Sequence, residues 1–69
     1  MVNSFIKIKT RTYSTYVAFD AINSVEEDGT GSVIIVTCDK ALYDVIEINN
    51  VPCESMEDAV RELNLFDIQ

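Results

Sequence analysis

Apolar and polar residues alternate from the start of the chain. In FIKIKT, residues 5–10, Ile6 and Ile8 fall on one side and Lys7 and Lys9 on the other, the period-2 mark of a half-buried strand with a wet, basic back. That basic side would discourage edge-to-edge pairing if this strand lay at a sheet margin. Residues 12–19, TYSTYVAF, are rich in Thr, Tyr and Val and predict a second strand. Tyr13, Thr15, Val17 and Phe19 share one face of it, Tyr16 and Ala18 the other. Asp20 ends it, and residues 21–24 read as a bend or one helical turn that aims Ile22 and Val25 at the core. An extended strand resumes at residues 25–27.

The stretch SVEEDGTGSVIIV, residues 24–36, holds the most motif-like element of the chain. Asp28-Gly29 is the strongest short turn signal between two strand-like runs, so the loop predicts a hairpin. Val33-Ile34-Ile35-Val36 is continuously apolar and β-branched, which predicts a central strand buried on both faces. Asp39-Lys40 predicts a tight turn, residues 41–48 a returning strand, and Asn49 to Pro52 its end, because Pro52 has no N–H for a ladder. Ser55 is a natural helix N-cap, with Asp58 three residues on as a short capping box and Glu57 and Asp58 suited to the helix dipole. Met56, Ala59, Val60 and Leu63 follow helical spacing and predict one apolar stripe, and Asn64 fits the C-terminal end. Leu65, Phe66 and Ile68 form an apolar tail, docked on the sheet or offered to a neighbour. The predicted fold is α+β: one small domain with an antiparallel sheet of four to five strands followed by one C-terminal helix. One short helix covers one face, so strong curling of the sheet or a second copy must cover the other; the pattern favours a homodimer or larger assembly.

Composition narrows the function classes. The chain has 69 residues, of which 48% are hydrophobic and 25% charged, a globular rather than disordered balance. No apolar run approaches the ~20 residues of a membrane span. MVNSFIKIK has neither an apolar export core nor a small-residue cleavage site, so the expected compartment is the cytoplasm. The net charge is −7: residues 1–18 carry +3 and residues 19–69 carry −10. Such a surface repels nucleic acid and anionic lipid and suits a basic protein partner.

The candidate chemistry thins out under the same scrutiny. Asp28-Gly29-Thr30-Gly31 precedes a strand rather than a helix and has no nearby downstream cation, and three acids precede its first glycine, so it does not make a phosphate cradle. Three consecutive acids on a strand point to opposite faces and do not build a calcium loop. Histidine is absent, which removes the commonest general base and metal ligand. Cys38 and Cys53 fall short of a zinc site and read as reduced thiols, Cys53 with its pKa raised by the acidic turn after it. No cofactor pattern is present and the chain is expected not to be an enzyme.

The order FIKIKT, YVAFDAINSVEE, SVIIVTCDKALYDVIE, ESMEDAVREL resembles the small FlbD-type β-sheet proteins of flagellar operons. The matching positions run from Ile22 to Glu26 and Val33 to Val36, then Tyr43, Val45, and Glu54-Ser55 before Val60. Asp39-Lys40-Ala41 stands where that family prefers a glycine turn, and residues 48–52 are an insertion. The resemblance implies topology alone and carries over no functional residue.

The expected function is a non-enzymatic protein-binding module. In its sharpest form it is an acidic inhibitor whose carboxylates mimic phosphates in a basic cleft, in the manner of small phage anti-defence proteins. Glu26, Glu27, Asp28, Asp44, Glu47, Glu57, Asp58 and Glu62 are the candidate contact residues. The alternatives are a small-molecule-binding oligomer with an interface pocket lined by Tyr13, Tyr16 and Tyr43, and a purely architectural subunit.

Overall fold

The computed structural model describes residues 4–67; Ile68 of the expected tail lies outside them. Strands β1 (Phe5–Thr10), β2 (Ser14–Ala18), β3 (Ile22–Glu27), β4 (Val33–Thr37) and β5 (Leu42–Ile48) form an antiparallel sheet in the order β2-β1-β5-β4-β3. A two-residue strand, β6 (Val51–Pro52), pairs with β5, and a single helix, α1 (Met56–Asp67), ends the chain. The fold is α+β with an antiparallel sheet and one C-terminal helix.

The connectivity forces the sheet to curl. β2 and β3 stand at opposite margins, yet only the 3-10 turn Phe19–Ala21 joins them. Four steps of extended chain reach at most about 14 Å. The margins of a flat five-strand sheet stand about 19 Å apart. The sheet therefore bends round so that its margins approach at this corner. Phe19 N–H donates to the Ser4 carbonyl (2.8 Å) and Cys38 N–H to the Ala21 carbonyl (2.7 Å), so both ladders continue into the bend.

Curling turns one side of every main strand inward. Ile6, Ile8, Val17, Val33, Ile35, Val45 and Ile48 make one core, closed by Cys53 and by Ala59 and Leu63 of α1. Register fixes the choice: Ile6 sits opposite Val17, Ile8 opposite Ile48, and Val33 opposite Val45. The alternation in β1 and β2 thus has the predicted sense, and Ile22 and Val25 pack on the core as expected.

Several expectations change. β5, not β4, is the middle strand, because β1 pairs with β5 across the whole chain. β1 is interior and the margin belongs to β2. Val33 and Ile35 are buried, but Ile34 and Val36 on the convex side are only half-buried. Residues 49–52 do not end the pairing. Asn49 and Asn50 both have positive φ (51° and 69°), the requirement of a tight two-residue hairpin. Ile48 and Val51 close that turn, and Cys53 N–H donates to the Ile46 carbonyl at 2.9 Å. Pro52 falls between them, where a strand N–H points away from the partner, so its missing donor leaves the ladder intact.

The helix stripe also rotates. Ala59 and Leu63 are buried and Phe66 packs on the core with its ring 5.3 Å from that of Phe19. Met56 and Val60 remain 37% and 41% exposed. The helix runs through Asn64 to Asp67, because Phe66 is needed inside. Its start is as predicted at Ser55, whose Oγ accepts from Asp58 N–H at 3.2 Å. Asp58 reaches back one residue further than a standard capping box, accepting from Glu54 N–H at 3.0 Å.

Candidate functional site: an acidic hairpin tip

The eight acidic candidates do not form one surface. Glu26, Glu27 and Asp28 lie at the end of β3 and in the loop to β4. Asp44 and Glu47 lie on β5, and Glu57, Asp58 and Glu62 on α1. Three of them are neutralised by this chain's own cations: Asp44 by Arg11 (2.5 Å), Asp58 by Arg61 (2.7 Å) and Glu47 by Lys9 (3.9 Å). All three pairs are solvent-exposed and contribute little stability. Among the described residues, nine of the twelve carboxylates have no cation within 4 Å.

The tip is the place where free carboxylates meet a fixed backbone. Asp28 Oδ1 accepts from Thr30 N–H (2.8 Å), Thr30 Oγ1–H (2.7 Å) and Ser32 N–H (3.0 Å). Asp28 N–H donates to the Ser32 carbonyl and Gly31 N–H to the Asp28 carbonyl, each at 3.0 Å. Gly31 takes φ +86°, a conformation that disfavours a side chain. The Thr30 hydroxyl and backbone and the Ser32 backbone, with Arg11 as a weaker positive neighbour, hold the Asp28 carboxyl below the ordinary aspartate value of 3.8. Asp28 is therefore the scaffold of the tip, and Glu26 and Glu27 are its exposed charges. Glu26 accepts from Ser24 Oγ at 3.2 Å; among the described residues neither glutamate has a cation within 4 Å.

The three tyrosines are placed apart. Tyr13 lines a shallow cleft with Arg11, Leu42 and Asp44 at the β1–β2 turn. Tyr16 is 67% exposed on the convex side of β2, and Tyr43 packs against the core from β5. Both cysteines are free, Cys38 exposed and Cys53 buried. Burial first, then the Asp58 and Glu62 carboxylates, pushes the Cys53 thiol up, away from the reactive thiolate. Among the described residues no three Cys, Asp or Glu side chains converge on a metal position, and no helix is long and apolar enough to cross a membrane.

The sequence reading missed the cation pairings, including Asp58–Arg61, which is an i,i+3 pair on one helix. Arg11 and Asp44 are 33 residues apart and meet because the β1–β2 turn lies beside the start of β5. No spacing rule reports such a pair. No protein-family model, curated protein or solved structure matches this chain.

Proposed function

We propose that this chain is a non-enzymatic protein-binding module that engages a basic partner through the β3–β4 hairpin tip. The observation that carries the reading is the pairing of exposed, uncompensated Glu26 and Glu27 with a loop held by the hydrogen-bond fan of Asp28. A preorganised charge loses less entropy on binding than a mobile one. Carboxylates on the two faces of a strand end that a firm loop holds in place suit a cleft that grips the hairpin end, so an inhibitor or decoy is the specific form proposed. Asp44, Glu47 and Asp58 contribute less, because their charge is already met internally. Glu57 and Glu62 sit on α1 rather than on the hairpin, although the chain entering α1 passes the loop, where Glu54 shares a cleft with Thr30, Gly31 and Ser32.

Binding of an oligolysine peptide at low and high salt tests the reading. Glu26→Gln with Glu27→Gln is expected to weaken low-salt binding about tenfold, and Glu57→Gln with Glu62→Gln by less than about twofold. Equal losses from the two double variants would mean diffuse charge attraction rather than a tip site, and affinity unchanged by salt would remove the electrostatic basis.

A further inference from the structure

Among the described residues, the margin of β2 lacks three of the devices that normally protect a sheet edge. Its five residues, Ser-Thr-Tyr-Val-Ala, carry no charge and no proline, and its register with β1 runs without a bulge. The hydrogen-bond parity shows which groups are unpaired. Thr10 N–H donates to the Tyr13 carbonyl and Phe19 N–H to the Ser4 carbonyl. In an antiparallel ladder these fix alternate residues toward β1, so Ser14, Tyr16 and Ala18 turn their N–H and C=O outward. At the other margin, Asp28 N–H donates to the Ser32 carbonyl, which turns Val25 and Glu27 of β3 outward by the same parity.

We propose that β2 of one copy pairs with β3 of a second copy of this chain, extending the sheet from molecule to molecule. Charge selects this pairing over its rivals. The β1–β2 hairpin holds Lys7, Lys9 and Arg11 and no acid, whereas β3 and its tip hold Glu26, Glu27 and Asp28 and no base. Joining β2 to β2 brings two basic hairpins together, and β3 to β3 brings two acidic ones together. A parallel joining that aligns Tyr16 with Glu26 of the incoming copy, so that Tyr16 bonds the outward groups of Val25 and Glu27, places Lys7, which sits directly across β1–β2 from Tyr16, two strands from that Glu26. That is about 10 Å, within roughly one screening length at 0.1 M salt, and both side chains reach across Tyr16. The contact uses two different surfaces, so it builds a ring if the rotation closes and a fibre if it does not. It does not rest on the basic-partner reading, because it is read on the chain alone.

Light-scattering mass at several concentrations in low salt is the test. The wild-type chain is expected to exceed the single-chain mass. Tyr16→Lys, the natural edge guard, is expected to raise the dissociation constant at least tenfold while circular dichroism stays unchanged. Lys7→Glu and Glu26→Lys are each expected to weaken assembly alone and to assemble with one another when mixed. A wild-type chain of single-chain mass at every concentration overturns the proposal, as does a Tyr16→Lys variant that keeps the larger mass. Mixing that restores nothing rejects the β2–β3 pairing.

Discussion

The β1–β2 and β3–β4 hairpins turn by the same device in opposite surroundings. At the first, Thr10 Oγ1 accepts from Thr12 N–H (3.3 Å) and Tyr13 N–H (3.2 Å) and donates to the Tyr13 carbonyl (3.1 Å). At the second, Asp28 Oδ1 gathers Thr30 and Ser32. Thr10 is 6% exposed, so the gathering oxygen is neutral; Asp28 is exposed, and there a charged oxygen is tolerated and binds its donors more strongly. The comparison teaches where the surface charge is structural. The basic hairpin is held by a buried hydroxyl and leaves its cations for ion pairs. The acidic hairpin spends one carboxylate on its own turn and leaves Glu26 and Glu27 free.

The largest expected effect breaks both hairpins at once. Ile8 on β1 and Ile35 on β4 are each fully buried in one core. Truncating either to Ala is expected to cost about 2–5 kcal/mol, enough to unfold much of so small a domain. Denaturant titration checks the cost, and amide exchange checks its reach: one hairpin staying protected while the other melts would refute the shared core.

Next in size is Thr10→Val, which keeps the shape and removes the oxygen. It is expected to cost about 1–3 kcal/mol, with no dependence on acid pH. Asp28→Asn sharpens the contrast. Because the Asp28 carboxyl titrates below 3.8 in the folded chain, its contribution is present above that value and fades as pH falls through it. Asp39, lowered by its hydrogen bonds from Thr37 and Ala41, fades in the same range. Thermal unfolding of wild type and Asp28→Asn should therefore differ at pH 6, and the difference should shrink as the pH falls below 3.8. Parallel curves over that range would show that the carboxylate charge does not hold the turn. The smallest stability change belongs to Glu26→Gln with Glu27→Gln, within about 0.5 kcal/mol, although its binding effect is the largest.

Local pattern carried the sequence reading where one face decides. Ile6 and Ile8 alternate with Lys7 and Lys9, and no other orientation buries them. The reading failed where two local solutions compete or where the partner is distant. On α1, Met56, Val60, Leu63 and Phe66 are all apolar, so two overlapping stripes are available. Phe19, 47 residues from Phe66, selects the one that contains Ala59, Leu63 and Phe66. Pro52 read as a strand breaker because composition does not reveal which way an N–H points. The place of β5 at the centre follows from its pairing with β1, which no periodicity encodes. Of the acidic candidates, the tip's position in a hairpin was legible in Asp28-Gly29. The neutralisation of Asp44 and Glu47 depends on how distant strands align, whereas Asp58 meets Arg61 one turn on along the same helix.

The measurement that bears most directly on the acidic tip as the binding surface is an amide chemical-shift titration of the full chain with an oligolysine peptide at low salt. The account predicts the largest shifts at Glu26 to Ser32, with the amides of α1 nearly unmoved and the shifts reversed by added salt. Shifts centred on Met56 to Asp67, or spread evenly over all exposed carboxylates, would contradict it.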